Sequence, residues 1–335
     1  MTRHHEDCSE QLLIARAELG DVQTVVWLLQ NGCHASEEAA EAAAAQGHIA
    51  VLDVLQAHGS YLDEATCCAA ARAGHLPTLR WLIEQGIPAE HRTLAAAAAS
   101  GNTAVLAYLR TVVPVDTWDT WTCRAAAAAG RLQTLVWLQE QQPPCPMDLQ
   151  LCTQAAAQAG RLQVLHWLGQ RGAVWDSDAC NAAAGAGQVP VLQYMHACSS
   201  SSCFDDLTAA AAAAAGERST LQCLLQLDPP CPTSEWTIAA AAEAGHLDIV
   251  RYLRQQQPPC EWGVLTTRAA AAEGHLAVLH WLRSQQPPCP WDRSAFESAV
   301  AEGRVEVLEW LAEREDQQGW TKQECEAALA RMQQD

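Results

Sequence analysis

The segment AAAEGHLAVLHWLRSQ, residues 270–285, contains the pattern that organises the whole chain. A block of alanines leads to a glycine, and apolar residues then recur at the spacing of an amphipathic helix. The same pattern appears as AAAQGHIAVLDVLQAHG at 43–59 and as AAAEAGHLDIVRYLRQQ at 240–256. Self-similarity at a nearly fixed period is typical of a repeat protein.

The glycine defines the repeat, because it recurs every 27–30 residues. Each alanine block before it predicts an inner helix, and the apolar positions after it predict an outer helix. We therefore expect an all-α fold, an α-solenoid of about eleven stacked helix-turn-helix repeats with short loops. The repeat glycines are Gly20, Gly47, Gly74, Gly101, Gly130, Gly160, Gly187, Gly216, Gly245, Gly274 and Gly303.

Capping signals support the helix boundaries. A residue that can accept a hydrogen bond at a helix N-terminus stands eleven positions before the glycine in seven repeats. We expect a single array over residues 1–335, with a tail at 1–8, eleven repeats over 9–315 and a capping half-repeat over 316–335. Thr321 and Glu324 have the spacing of a capping box that begins this last helix. The seven residues are Ser36, Asp63, Asp119, Asp176, Asp205, Ser234 and Asp292.

These segments resemble the ankyrin repeat, whose core reads AAxxGHxxIVxxLLxxG. The resemblance covers about residues 9–315, but the TPLH signature of ankyrin repeats is absent and the period is shorter than theirs. The missing residues fall where ankyrin proteins carry a β-hairpin, so we expect that hairpin to be reduced to a loop such as 287–292. The resemblance implies a protein–protein interaction scaffold or adaptor that binds along a concave face.

Composition excludes several classes of partner. The chain has 39 acidic and 20 basic residues and a formal charge of −19, which disfavours nucleic acid and anionic membranes. No apolar run is long enough to span a bilayer, and residues 1–20 lack the apolar core of a secretory signal. We expect a cytoplasmic monomer, with the nucleus left open, that binds proteins with a basic surface.

Cysteine and histidine follow the repeat, which favours structural roles. Cys145, Cys203, Cys231, Cys260 and Cys289 share one loop position, and neighbours along such a column are too far apart for disulfides. A second column places Cys67, Cys123 and Cys180 in inner helices. Cys198 and Cys203 are the one pair that a loop could bring together. His48, His75, His246 and His275 follow the glycine, where we expect hydrogen bonds between repeats rather than a zinc site.

Partner-binding residues are expected on the inner helices, at positions that packing leaves free. Positions ten, six and two before the glycine share one helix face. Position nine lies beside this face and holds Trp121, Leu151, Leu207, Trp236 and Leu265. Varied polar residues with tryptophan and arginine are typical of interaction hot spots. The candidates are Glu64, Arg72, Trp121, Arg124, Gln154, Asn181, Trp236, Glu243 and Arg268.

Two alternatives remain open from the sequence. The chain could be a structural tether whose partners bind the outer loop edge, or an enzyme with a Cys/His site around Cys67, Cys68 and His91. No catalytic motif supports the second, so we expect no catalytic residue, metal or cofactor.

Overall fold

The computed structural model describes residues 3–198, 203–314 and 320–332, and within these ranges the only regular structure is helical. The chain divides into two compact units. The N-unit comprises Met1–Ala156 and Gln163–Ala173, and the C-unit comprises Ala157–Leu162 and Val174–Asp335. None of the described helices is long and apolar enough to cross a membrane.

The helices come in pairs. The division between the two units passes through the eleventh and twelfth helices. The first twelve are α1 (Arg3–Glu18), α2 (Val22–Gln30), α3 (Glu37–Gln46), α4 (Ile49–Ala57), α5 (Glu64–Ala73), α6 (Leu76–Glu84), α7 (His91–Ser100), α8 (Thr103–Val112), α9 (Thr120–Ala128), α10 (Leu132–Glu140), α11 (Leu149–Gln158) and α12 (Leu162–Gln170), with a 3-10 turn at Val115–Thr117.

The remaining helices continue the alternation, and α23 is the last of the described helices. They are α13 (Ser177–Gly185), α14 (Val189–Cys198), α15 (Asp206–Ala214), α16 (Arg218–Leu225), α17 (Glu235–Glu243), α18 (Leu247–Arg254), α19 (Val264–Glu273), α20 (Leu276–Ser284), α21 (Arg293–Ala301), α22 (Val305–Ala312) and α23 (Lys322–Met332). The predicted all-α repeat of helix-turn-helix pairs is confirmed in both units.

Inner helices stack on inner helices through alanine. In the N-unit α3 packs on α5 and α5 on α7, and in the C-unit α15 packs on α17 and α17 on α19. Ala43 and Ala44 of α3 are fully buried, as are Ala241 and Ala242 of α17. Small side chains let helix axes approach closely, so the alanine blocks are packing surfaces. Leucines such as Leu52 fill the layer between inner and outer helices.

All seven predicted N-caps accept a backbone hydrogen bond from the first turn of their helix. A further capping device, not predicted from the sequence, acts between repeats. Gly263 has no side chain to cap α19, and Glu235 of the preceding inner helix accepts from the Leu265 N–H at 2.9 Å. Glu64 accepts from the Thr93 N–H of α7 in the same way, at 3.4 Å.

Two features of the structure require glycine at position 245, its backbone conformation and a close contact with the next repeat. Its φ of +77° lies in the left-handed region, which ends α17. A Cβ built there would lie 2.6 Å from the imidazole of His275 in the next repeat. That imidazole contacts the Glu243 carbonyl oxygen through Nε2 at 2.8 Å. The expected hydrogen bond between repeats is therefore present at His275, at His48, which contacts the Glu18 carbonyl oxygen at 3.1 Å, and at His246, which contacts the Ala214 carbonyl oxygen at 3.2 Å.

The loop cysteines also connect successive repeats. Four of them donate S–H to the carbonyl oxygen of the residue that precedes the previous inner helix, as in Cys231 to Asp205 at 3.2 Å. Burial raises the pKa of Cys231 and of Cys289 to about 12, which keeps both thiols protonated as donors. The other bonds are Cys145 to Asp119 at 3.6 Å, Cys260 to Ser234 at 3.3 Å and Cys289 to Gly263 at 3.4 Å.

The chain ends differ in how closely they follow expectation. α1 begins at Arg3, six residues before the predicted first helix, while residues 1 and 2 lie outside the described part. At the other end the predicted capping box is present, with the Thr321 N–H donating to Glu324 at 2.8 Å. α23 packs on α22. Trp320 is buried and meets the Trp291 ring edge-on, with the two ring centroids 4.7 Å apart. Residues 316–319 and 333–335 of the predicted cap lie outside the described residues.

We expect Gly245→Ala to destabilise the protein more than Gly59→Ala. Both glycines have positive φ, so each substitution should cost about 1–2 kcal/mol in backbone strain. A Cβ at Gly59 meets open space, whereas at Gly245 it displaces His275, which should add about 1–3 kcal/mol. Urea unfolding of the two variants measures the difference. Equal losses would show that the contact over the glycine contributes nothing.

We expect stability to fall above about pH 9. Burial raises the pKa of Cys67, Cys152, Cys231 and Cys289 from 9.0 to about 12, so the folded state retains protons that the unfolded state releases. The stabilisation is complete below pH 9 and is lost as the pH rises toward 12. The melting temperature followed from pH 8 to about pH 10.5 should drop. The drop should be smaller in Cys231→Ala/Cys289→Ala, and an equal drop would contradict the assignment.

Candidate functional site

The inner helices of the C-unit form a groove of about 240 Å³. It crosses α15, α17 and α19 and reaches α21. Its floor is alanine, and larger side chains stand along its sides. The lining residues are Leu207, Ala210, Trp236, Ala239, Ala240, Glu243, Leu265, Arg268, Ala269, Ala272 and Ser298.

Three apolar side chains occupy the same repeat position in this groove. Leu207, Trp236 and Leu265 each lie nine residues before their repeat glycine, on successive inner helices. Leu207 is 53% exposed and Trp236 is 58% exposed. Because the alanines carry the packing between helices, these side chains are not needed in the core. Leu265 is half-buried, so the three side chains form an apolar stripe with two exposed members, a feature that marks interaction sites.

Two opposite charges complete the groove. Glu243 ends α17 and Arg268 lies in the middle of α19, and both side chains are exposed. A carboxylate and a guanidinium beside an apolar stripe can orient a bound segment through charge-assisted hydrogen bonds. The arrangement offers recognition chemistry: an apolar pocket with charged groups at its edge.

The N-unit has a more polar groove, of about 410 Å³, between α3 and α5. Arg72 lies on one side, while Glu38 and Glu41 lie on the other. Burial raises the pKa of Glu41, and the nearby carboxylates of Asp63 and Glu38 raise it further. This groove has a floor of alanine but no exposed tryptophan. The remaining lining residues are Ala42, Ala45, Ala69 and Ala73.

The structure brings Trp236, Glu243 and Arg268, three of the nine predicted residues, into one groove. Arg72 lines the N-unit groove. On α9 the Arg124 guanidinium lies 4.6 Å from the Trp121 ring centroid, and Trp121 is 57% exposed.

The other three predicted residues lie elsewhere. Glu64 caps α7, as described above, and Asn181 accepts a hydrogen bond from the Thr208 hydroxyl of α15 at 2.7 Å. These two side chains therefore hold neighbouring repeats together. Gln154 is half-buried on α11.

Leu207, Leu265 and Ser298 were not among the nine predicted residues, although all three line the groove and the two leucines stand at position nine beside the predicted face. The signal for the two leucines was present in the sequence, because they share the repeat position of Trp236. Ser298 replaces an alanine of the inner-helix block, and only the stacking of α21 on α19 brings it to the groove.

The thiols of the alternative Cys/His site are poorly suited to nucleophilic catalysis. Burial raises the pKa of Cys67 to about 12 and also raises the pKa of Cys68. A nucleophilic cysteine needs the opposite shift, because the thiolate is the reactive form. Among the described residues, no group of three or more His, Cys, Asp or Glu side chains could hold a metal ion.

Comparison with known proteins gives only distant likenesses. No protein-family model and no curated protein matches the chain. Among solved structures, the human ASB11 ankyrin repeat domain matches 48% of this chain and 83% of its own length, at 18% identity and a TM-score of 0.36.

The pentatricopeptide repeat protein PPR10, solved in complex with an 18-nt psaJ RNA element, matches 91% of this chain at 17% identity and a TM-score of 0.39. The match spans about half of that protein, 53% of its length. Both neighbours are repeat proteins, and at this similarity neither neighbour's ligand transfers to this chain.

Proposed function

We propose that the protein is a non-enzymatic scaffold or adaptor that binds protein partners on its inner-helix face. The observation that carries the proposal is the apolar stripe of Leu207, Trp236 and Leu265 in one groove with the charged side chains of Glu243 and Arg268; Leu207 and Trp236 are each more than half exposed. Burying an exposed tryptophan removes a large apolar surface from water, which favours binding. Tryptophan and arginine also dominate interaction hot spots. A partner segment with apolar side chains fits this groove.

The charge of the chain supports a basic protein partner. A net charge of −19 attracts positively charged surfaces and repels the phosphates of nucleic acids and anionic lipids. Glu38 and Glu41 of the N-unit groove add local negative charge. The loop cysteines donate hydrogen bonds as thiols, and a reducing compartment keeps them in that form. We therefore propose that the protein is cytoplasmic, and that it acts as a monomer.

A tether that binds through its outer edge is the second candidate, and exposed apolar side chains outside the inner helices favour it. Trp27 of α2 is 60% exposed, and the loop residues Tyr61 and Val174 are 70% and 78% exposed. These three residues are scattered, whereas the groove residues share one repeat position on adjacent helices. The groove is therefore the better-supported surface.

We expect Trp236→Ala to weaken partner binding by about 30-fold, which corresponds to the loss of a hot spot of about 2 kcal/mol. The side chain is 58% exposed, so the fold should be retained. Quantitative mass spectrometry of captured proteins would identify the partners lost with this variant. Isothermal titration with the purified partner would then give the change in affinity.

Trp27→Ala is the matched control, because it removes a tryptophan of similar exposure, 60%, from an outer helix. Groove binding predicts that this variant keeps the partners of the wild type. If Trp27→Ala lost them and Trp236→Ala did not, the tether would be the correct function.

We expect the association to weaken as salt rises from about 0.05 M to about 0.5 M, because screening shortens the reach of the acidic surface. The association rate should fall more than the dissociation rate rises, since long-range attraction acts mainly on encounter. Surface plasmon resonance on the captured partner measures both rates. An unchanged association rate would exclude electrostatic attraction to a basic surface.

A further inference from the structure

Cys203, one of the loop cysteines, lies beside a second cysteine. Cys203 holds the repeat position of Cys231, Cys260 and Cys289, but its sulfur lies 2.8 Å from the sulfur of Cys180 on α13. In the next repeat the position equivalent to Cys180 is Ala209, and the loop cysteine there has an alanine beside it. The next repeat therefore lacks this pairing of two thiols, which was not anticipated from the sequence.

We propose that Cys180 and Cys203 are a redox-active dithiol that closes to a disulfide when it meets a small-molecule disulfide such as oxidised glutathione. A covalent bond joins two sulfurs at about 2.05 Å, so the 2.8 Å separation leaves less than 1 Å to close. The loop before α15 and the helix α13 already hold both side chains at this contact.

The two thiols differ in their access to solvent and in their role in the hydrogen bond between them. Cys203 is half-exposed, whereas Cys180 is fully buried. The Cys180 S–H donates to the Cys203 sulfur. The same hydrogen bond, with burial, raises the pKa of Cys180. Cys203 is therefore the attacking sulfur, and Cys180 is the one that resolves the intermediate.

The exchange balances in two steps. The Cys203 thiolate attacks one sulfur of oxidised glutathione, forming a mixed disulfide and releasing one glutathione thiolate, which takes up a proton. Cys180 then loses its proton and attacks the Cys203 sulfur, and the second glutathione leaves as the thiol. The protein loses two electrons and two protons, and both are recovered in two molecules of reduced glutathione.

The chain contains a built-in comparison. Cys123 and Cys145 occupy the same two repeat positions in the N-unit and are also hydrogen-bonded to each other. Both are buried, with 0% and 3% exposure. A small-molecule disulfide cannot reach either sulfur in the folded protein, so this pair should stay reduced while Cys180 and Cys203 are oxidised.

Closure would tie the segment before α15 to α13. α15 begins at Asp206, three residues after Cys203, and carries Leu207 of the groove. A crosslink between residues 23 positions apart also restricts the unfolded chain. Oxidation should therefore raise the melting temperature and slow hydrogen exchange at the start of α15.

The test is to equilibrate the reduced full-length protein with mixtures of reduced and oxidised glutathione and to map disulfides by non-reducing peptide mass spectrometry. We expect one crosslink, Cys180–Cys203, with Cys123 and Cys145 still reduced. A crosslink between Cys198 and Cys203, or none at the most oxidising ratio, would overturn the proposal. Equal oxidation of Cys123 and Cys145 would show that access does not select the pair.

Single variants separate the two steps. Cys180→Ala copies the alanine at position 209 and should fold, and it should accumulate glutathione on Cys203. Cys203→Ala should acquire no glutathione at Cys180, because that sulfur is buried. If Cys180→Ala stayed unmodified under the same conditions, Cys203 would not be the attacking thiol. Circular dichroism on both variants confirms that they are folded.

Discussion

In both units, side chains that lie across a glycine turn hold one repeat to the next. The turn leaves carbonyl oxygens at the end of the inner helix without intrahelical partners, and the first polar residue of the next turn reaches one of them. His275 does so from one repeat to the next, and Arg131 and Arg304 do so with Nε at 3.0 Å and 2.6 Å. Only glycine leaves room for that side chain, so the turn sets the spacing between repeats.

The residue types that carry packing determine which ones are left for recognition. An inner helix that stacks through alanine buries little side-chain volume, and its larger residues lie on the opposite face or at its edges. Trp236 is exposed for this reason. Trp310 and Trp320 pack against Trp291 and are only 6% and 4% exposed. The same residue type is core in one place and surface in the other, and the repeat position decides which.

The periodicity of one sequence was enough to predict the helices, the glycine turns and the seven N-caps, because these depend on residues close together in the chain. What escaped prediction depends on how one repeat meets the next. Glu64 and Asn181 appeared free on a single helix, yet each contacts a residue 29 or 27 positions away. Trp236, Glu243 and Arg268 are exposed and line the groove, so for them the pattern along a single helix was a sufficient guide.

The cysteine columns show how a repeat can give one residue type two roles. In four repeats the loop thiol donates a hydrogen bond to a backbone carbonyl oxygen, and its buried surroundings favour the protonated form. For Cys203 a second sulfur lies within reach and its own side chain is half-exposed, so the same position gains exchange chemistry. Neither column alone predicts this: the chemistry arises only where Cys180 in the inner-helix column meets a loop cysteine that an oxidant can reach.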